Sequence, residues 1–404
     1  MFFSLALRAL RTVDLRLLLK FGWNFGVKNL LAMERFKWRL RHGGDVFPPF
    51  LQLSLLNSCN LRCQGCWVDV DGPRTQLELP ALNRLIDEAR RHGNAFFGLL
   101  GGEPFLHPGL LDLLAAHPGC YFQIFTNGQA ITPEIAARLR KLGNATVLVS
   151  IEGGNVAASD TRRGSRDVLD RSLQGLDHCL QARLITGVAT SLCQTNIDDL
   201  LSERWLRELI ARGVHYVWYY TYRPVGPRNN PQLALTSQQI ARVRKFVVEM
   251  RAKLPIGIVD CYYDHDGVAL CPAVTGASHH INPRGDIEPC PLIQFATDRI
   301  DDPRGLYETI RTSPFLRDFR AEAAAATRGC VLLERPDVVR ALVEKHHARD
   351  TTLRGTALAE LDAMEPRGSQ SMPGQEIPER SAMYRLAKKY WFNDFGAYRN
   401  GKKN

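Results

Sequence analysis

An α/β fold is predicted for this 404-residue chain from three observations. Short apolar runs alternate with helical stretches from about Phe47 to Lys253, which is the alternation of a parallel β/α architecture. Six such runs occur, enough for a barrel or a wound sheet and fewer than the eight strands of a closed barrel, so a lateral opening for a bulky substrate is expected. Beyond Pro255 the alternation fades. There Cys261, Cys271, Cys290 and Cys330 stand among Gly, Pro and short polar turns, which predicts a small carboxy-terminal domain organised around metal.

Along the chain, residues 1–45 mix Leu, Phe and Trp with Arg and Lys in a pattern that suits an amphipathic helix. Two destinations fit it: an anionic membrane surface, or the outside of the protein's own barrel. Residues 46–254 hold the strand candidates Phe50–Leu55, Ala95–Leu100, Tyr121–Thr126, Thr146–Ile151, Ile185–Leu192 and Tyr216–Tyr222, with helices that include Leu79–His92 and Pro133–Leu142. Residues 255–335 form the predicted metal domain. Within 336–404, Arg335–Asp362 reads as helical, Glu365–Arg380 as a flexible linker, and Tyr384–Asn404 as a basic aromatic tail.

The net charge of +10 is carried by the ends. Residues 1–42 hold nine Lys/Arg against two acidic residues and 380–404 hold seven against one, which leaves −3 on the body. A nucleic-acid partner is therefore not expected. The hydrophobic share of 45% permits a large buried core. Ten cysteines without a secretory leader pattern point to the cytoplasm, where thiolates hold metal, with the basic ends allowing a peripheral position at the inner membrane face.

The chemistry begins at Cys59, Cys63 and Cys66, three thiols in a C-x3-C-x2-C loop directly after the first strand. Three soft ligands suit iron and sulfur. On a four-iron cubane they leave one iron without a protein ligand, and an open coordination position marks a reactive site, as it does for zinc. A zinc site with its fourth ligand elsewhere is the competing reading.

This loop resembles that of the radical S-adenosylmethionine superfamily, whose members carry it after the first strand of a partial (β/α)6 TIM-like barrel. The likeness extends to Gly101-Gly102-Glu103-Pro104, about 40 residues on, which resembles the GGEP motif that binds the amino group of the cofactor's methionine moiety. Glycines permit close backbone approach, and a carboxylate accepts from an ammonium. Thr126-Asn127-Gly128 and Ser150-Ile151-Glu152-Gly153 lie where the family places cofactor-contacting groups, which makes Asn127, Ser150 and Glu152 candidates. Asp160, Arg163 and Gly164 resemble a D-x2-RG segment in which Arg163 pairs with the cofactor carboxylate; a solvated arginine is the plain alternative. Tyr222-Arg223-Pro224-Val225-Gly226 is similar to a turn near the adenine. One position departs from the family. An aromatic residue usually precedes the third cysteine, and here Gly65 does, so Trp67 is the candidate for that face.

Cys271-Pro272 to Gly276 and Ile281 to Cys290 resemble a SPASM or twitch extension. With Cys261 and Cys330 they supply four thiols, and the resemblance implies one auxiliary [4Fe-4S] cluster. Cys330 is the departure, since no cysteine follows it in Val331–Glu334. Cys120, Cys179 and Cys193 read as structural thiols. By resemblance, the chain is an enzyme in which an electron donor such as flavodoxin or ferredoxin reduces the first cluster. S-adenosylmethionine then yields a 5′-deoxyadenosyl radical that takes hydrogen from a substrate. Oxidation or C–C/C–S bond formation in natural-product, lipid or cofactor biosynthesis is the expected outcome. Peptide maturation is an alternative that the lack of a long amino-terminal leader-binding module weakens. A non-catalytic iron–sulfur or zinc protein is the alternative of another class, and GGEP argues against it. No catalytic residue is assigned; Tyr219, Tyr220, Asp264, His265, His279 and His280 are placed to reach a substrate or to serve in loops and packing.

Overall fold

The computed structural model describes residues 2–43 and 46–392, so the predicted tail from residue 393 onward lies outside the described residues. Parallel β/α units build the centre, each strand followed by a helix that covers its outer face. The strands are β1 Phe50–Ser54, β2 Phe96–Leu100, β3 Tyr121–Thr126, β4 Ala145–Ser150, β5 Thr186–Leu192 and β6 Tyr216–Thr221. Their helices are α4 Leu79–Arg91, α5 Leu110–Ala116, α6 Pro133–Leu142, α7 Val156–Arg163, α8 Val168–Gln181, α9 Ile197–Leu200, α10 Glu203–Arg212 and α11 Ser237–Lys253, behind the amino-terminal α1 Phe2–Thr12, α2 Leu15–Phe21 and α3 Lys28–Arg41. Phe97, Leu99, Phe122, Ile124, Val147 and Val217 are buried beneath the helices. Residues of opposite parity therefore face the concave side of the sheet.

The sheet is longer than the six strands predicted. Its order is β7-β6-β5-β4-β3-β2-β1-β8-β9, with β7 Gly257–Val259, β8 Ser278–Ile281 and β9 Ile287–Glu288. β7 extends the parallel edge beyond β6, and β8 pairs parallel with β1 from the other side (Leu51 opposite His279). The two outermost strands, β7 and β9, do not pair, so the barrel stays open. Three residues of β7 and the polar Ser278-His279-His280 carry no apolar run, which is why periodicity missed them. Residues on both sides of position 255 thus share one sheet. The helix predicted over Arg335–Asp362 is also interrupted: the helix Pro336–Lys345 ends before His347, which has φ +48°, and a second begins at Ala357.

The amino-terminal helices pack beneath the barrel, where strands begin and helices end. Arg8 donates to Val214 O (2.5 Å) and Ile210 O, Lys20 to Leu142 O (2.7 Å), Lys28 to Gly119 O (2.7 Å), Arg16 to the carbonyls of Arg140 and Lys141, and Arg39 to His92 O. The unsatisfied carbonyls at helix ends carry the negative pole of the helix dipole, and each such cation contributes about 0.3–1 kcal/mol. Phe21 and Phe25 complete the contact through edge-on packing against Tyr121 and Phe96.

The stretch Glu365–Arg380, predicted as a flexible linker, is bonded to the body. Arg367 N donates to Leu333 O, Glu379 N to His265 O, and Arg244 to Ile377 O at 2.7 Å. Glu379 itself is buried and pairs with Arg251 at 2.5 Å, within a network that holds Arg244, Asp260 and Lys388. Composition signalled disorder because the pairing partners lie more than 100 residues away. Burial pushes Lys388 down to about 8 despite Asp260 beside it.

His215, beneath the barrel, accepts from Thr186 N–H at Nδ1 (3.1 Å) and lies 3.0 Å from Thr12 Oγ1 through Nε2. Burial, with Arg8 nearby, pushes it down to about 4. An unfolded histidine binds its proton near pH 6.5, so acid favours the unfolded chain between the two values; the effect integrates to about 3 kcal/mol. Stability should be full above pH 6.5 and fall toward pH 4. Denaturant titration should show this slope, and His215→Asn, whose Oδ1 still accepts from Thr186, should flatten it.

Candidate functional site

The site forms where the strands end. Cys59, Cys63 and Cys66 follow β1, and their loop is held by the neighbouring Gly101-Gly102 turn after β2. Gly102 N donates to Leu56 O (2.7 Å) and Glu103 N to Ser58 O (2.9 Å). A Cβ on Gly102 would lie 2.0 Å from Ser58 O, and one on Gly101, at φ +123°, would lie 2.4 Å from Leu56 O. Two glycines are thus needed to bring the cysteine loop and the next loop together.

Glu103 is buried and accepts from Thr126 Oγ1 (2.7 Å), Asn127 N (2.8 Å) and Phe105 N (3.1 Å). Burial pushes its carboxyl above the usual range, and the hydrogen bonds from Thr126, Asn127 and Phe105 offset this only in part. Asn127 extends the bridge, its Nδ2 donating to Asn60 Oδ1 (2.7 Å) inside the cysteine loop. Pro104 opens a short 3-10 turn that Glu103 caps.

Arg163 ends α7 and is buried between two groups: Nη1 lies 3.6 Å from Cys63 Sγ and Nη2 lies 3.4 Å from Glu152. Burial opposes its charge, and Cys63 and Glu152 outweigh that, so its pKa is raised. The plain alternative of a solvated arginine is contradicted by this burial. Glu152 is fixed by Ser191 N (3.2 Å) and by Asn196, which donates to its carbonyl; Ser150 ends β4 two residues before it, half-exposed. Asp160 serves a structural role, accepting from Asp167, Val168 and Leu169 N–H groups at the start of α8.

The departure at Gly65 has a structural counterpart. Gly65 adopts φ +73°, and a Cβ there would meet the Tyr222 ring at 2.4 Å. Tyr222, from the turn after β6, fills the space beside Gly65 and is stacked by Arg162 (5.0 Å to the ring centroid). Trp67 turns the other way, edge-on to His280 at 5.5 Å, and lines a cavity with Asn57, Gly101, His280, Arg284 and Gln294. His280 is tied to Glu288 (2.6 Å) and Ser54 (2.7 Å). His279 is buried, while Tyr219 points outward to Leu200 O. Asp264 and His265 are held in a tight turn and by Asp266, respectively.

The concave side carries an aromatic cluster of which the sequence singled out Tyr220 but neither Phe125 nor Trp218. Phe125 of β3 packs against Trp218 and Tyr220 of β6 at 5.7 and 6.2 Å, and Trp218 stacks on Tyr220 at 5.4 Å. Tyr216, Trp218 and Tyr220 alternate along β6, a period-two aromatic pattern that was present in the sequence. Tyr220 in turn packs against Cys261 and Tyr262.

In the second cysteine set Cys261, Cys271 and Cys290 are half-buried and Cys330 is buried. Burial pushes Cys261 and Cys290 up to about 12 and Cys271 to about 11, with charge coupling that links Cys261 to Cys271 and both Cys271 and Cys290 to Cys330. Arg223, the residue after Tyr222, enters this set. Its guanidinium meets Tyr262 Oη (3.0 Å) and Thr221 O, and its Nε has no hydrogen-bond partner among the described residues. Burial opposes its charge, and Tyr262 and Cys330 outweigh that, so its pKa is raised. At the first set, burial likewise pushes Cys59 to about 11 and Cys66 to about 12. Among the described residues no three His, Cys, Asp or Glu side chains are gathered closely enough to hold one metal ion. The donors at Cys59, Cys63 and Cys66 are soft thiols, the ligand type that iron and sulfur take. Cys120, Cys179 and Cys193 are buried.

Two outcomes follow for the loop packing. Gly65→Ala should destabilise the protein by about 1–3 kcal/mol through its left-handed backbone and the Tyr222 contact. Tyr222→Ala should relieve the contact part alone, so a double-mutant cycle read by denaturant unfolding should show coupling. If Glu103 receives the cofactor ammonium, as the GGEP resemblance implies, Glu103→Gln, which places an amide against Asn127 N–H, should lower affinity for S-adenosylmethionine at least tenfold in equilibrium dialysis.

Residues 53–219 match the Radical SAM superfamily profile. The chain is 34% identical over 322 residues to the mycofactocin maturase MftC of Mycobacterium ulcerans, covering 74% of this chain and 84% of that protein. It is 25% identical over 213 residues to the AdoMet-dependent heme synthase of Methanosarcina barkeri, covering 52% of this chain and 60% of that one, and so spans less than two thirds of that relative. Among solved structures, Streptococcus suis SuiB bound to S-adenosylmethionine shares the fold, with a TM-score of 0.60, 16% identity, and coverage of 73% of this chain and 72% of that one. The open parallel barrel, the cysteine loop at its mouth and these similarities together place the chain in the radical SAM superfamily, whose members are enzymes that use S-adenosylmethionine and a [4Fe-4S] cluster for radical reactions.

Proposed function

We propose that this radical SAM enzyme oxidises or cross-links a substrate held on the concave side of the barrel, with an auxiliary [4Fe-4S] cluster on Cys261, Cys271, Cys290 and Cys330. The observation that carries the reading is the continuity from Tyr222, beside Gly65, to Arg223, among the second cysteine set, in consecutive residues. When bound, the first cluster and S-adenosylmethionine supply a 5′-deoxyadenosyl radical.

The protein's own groups take these roles in the proposal. Cys59, Cys63 and Cys66 hold the first cluster. Glu103, with Gly101, Gly102 and Pro104 shaping its loop, receives the cofactor ammonium. Arg163 receives the carboxylate, Asn127, Ser150 and Glu152 orient the remaining polar groups, and Tyr222 takes the face for which Trp67 was the candidate. Phe125, Trp218 and Tyr220 form an apolar wall that excludes water and contacts the substrate. A flavodoxin or ferredoxin delivers the electron. Natural-product or cofactor biosynthesis is the setting, and the similarity to a mycofactocin maturase favours a peptide substrate as a second reading.

Anaerobic reconstitution with iron and sulfide tests the reading. Reduced protein should convert S-adenosylmethionine to 5′-deoxyadenosine, and Cys63→Ala should abolish this. Iron should reach about eight per chain, and fall to about four in Cys271→Ala/Cys290→Ala, if two cubanes are held. Zinc without sulfide, or no 5′-deoxyadenosine from the intact chain, would overturn it.

A further inference from the structure

The helices α1–α3 carry apolar side chains on both faces. Leu17, Asn24, Asn29, Ala32, Met33 and Phe36 are buried, and Arg8, Lys20 and Lys28 are directed inward to helix-end carbonyls. Their outward positions are also apolar: Leu15, Leu19, Trp23, Val27, Leu31 and Trp38 are exposed, Leu19 to 66% and both tryptophans to 59%. Five of these recur every fourth residue. In an uninterrupted α-helix a four-residue repeat drifts around the axis, and the wider turn over Gly22–Val27, with π-type bonding, offsets part of that drift. The result is one apolar stripe along two helices.

Charge on this face is of one sign. Arg11, Arg35 and Arg41 are exposed on the same segment, as is Arg16, whose guanidinium is already engaged with the carbonyls of Arg140 and Lys141. The two carboxylates of the segment are already neutralised, Asp14 by Arg140 at 2.7 Å and Glu34 by Lys37 at 2.9 Å. Trp391 Nε1 donates to Gly26 O, and Lys37 donates to the carbonyl of Lys389, so the basic carboxy-terminal helix also docks here. Among the described residues no helix is long and apolar enough to cross a membrane. An apolar stripe with tryptophans and exposed arginines on the same segment matches the interface of an anionic bilayer, in which such a helix lies flat.

We propose that the outer face of α1–α3 docks on an anionic lipid surface, with the barrel mouth and its cysteine loop pointing away from the bilayer. The orientation follows from the packing: this layer covers the strand-start end, and the cysteines lie at the strand-finish end. The substrate therefore need not be a lipid, which separates this inference from any reading of the reaction.

Flotation of the full-length protein on vesicles of phosphatidylcholine, with and without phosphatidylglycerol, tests it. Binding should require phosphatidylglycerol, weaken with added salt, and fall about tenfold or more in Leu19→Glu/Trp23→Glu/Leu31→Glu. Arg11→Glu/Arg35→Glu, which leaves the apolar stripe intact, should also weaken it. Unchanged thermal melting would show that both variants fold. Failure of the intact protein to float, equal binding by the folded variants, or a lipid-free dimer that the triple variant dissociates would overturn the proposal, the last in favour of a second copy as the occupant.

Discussion

The close backbone contact between Gly101-Gly102 and Leu56–Ser58 sets the geometry of everything above the barrel. It joins two loops that follow adjacent strands, and so fixes the cysteine loop to the rigid sheet. Glu103 then enters at a defined depth, where the amides after β2 and β3 converge on it. Asn127 closes the circuit by returning to Asn60. A side chain at either glycine would part the loops, and the thiols, the buried carboxylate and the third strand's end would lose their common frame.

The strands and motifs that were readable in the sequence share one property: their determinants are local. Tyr121–Thr126 and Pro133–Leu142 have the observed boundaries because apolar periodicity and a Thr132 cap with Pro133 at the first turn specify them within a few residues. The thiol spacing and GGEP are equally local. What escaped depends on distant partners. β8 is polar and becomes a strand only because β1 offers an unpaired edge. Tyr222 completes the position beside Gly65 from 157 residues away, a relation that no window over either segment contains. The strap ending at Glu379 has the composition of a linker and is ordered by Arg244 and Arg251.

The basic amino terminus shows how a charge count divides once geometry is known. Some cations sit on carbonyls beneath the barrel and serve as caps for helices elsewhere in the sequence. Others are exposed on the segment that carries the apolar stripe. A sum of +7 over 42 residues contains both kinds, and amphipathic patterning identifies two faces without saying which is inward. Here the inward face is mixed: Leu17, Met33 and Phe36 are buried beside Arg8, Lys20 and Lys28, which reach the acceptors that the floor of a β/α barrel presents.

The buried network of Arg244, Arg251, Asp260, Glu379 and Lys388 also orders events during synthesis. The two arginines and Asp260 leave the ribosome well over a hundred residues before the glutamate and lysine. Until then Arg244 and Arg251 have Asp260 alone of the two carboxylates they share in the folded chain. A chain that stopped short of Glu379 would therefore bury two guanidinium groups with one carboxylate between them, so the strap at the far end of the sequence is what balances the charge of this core.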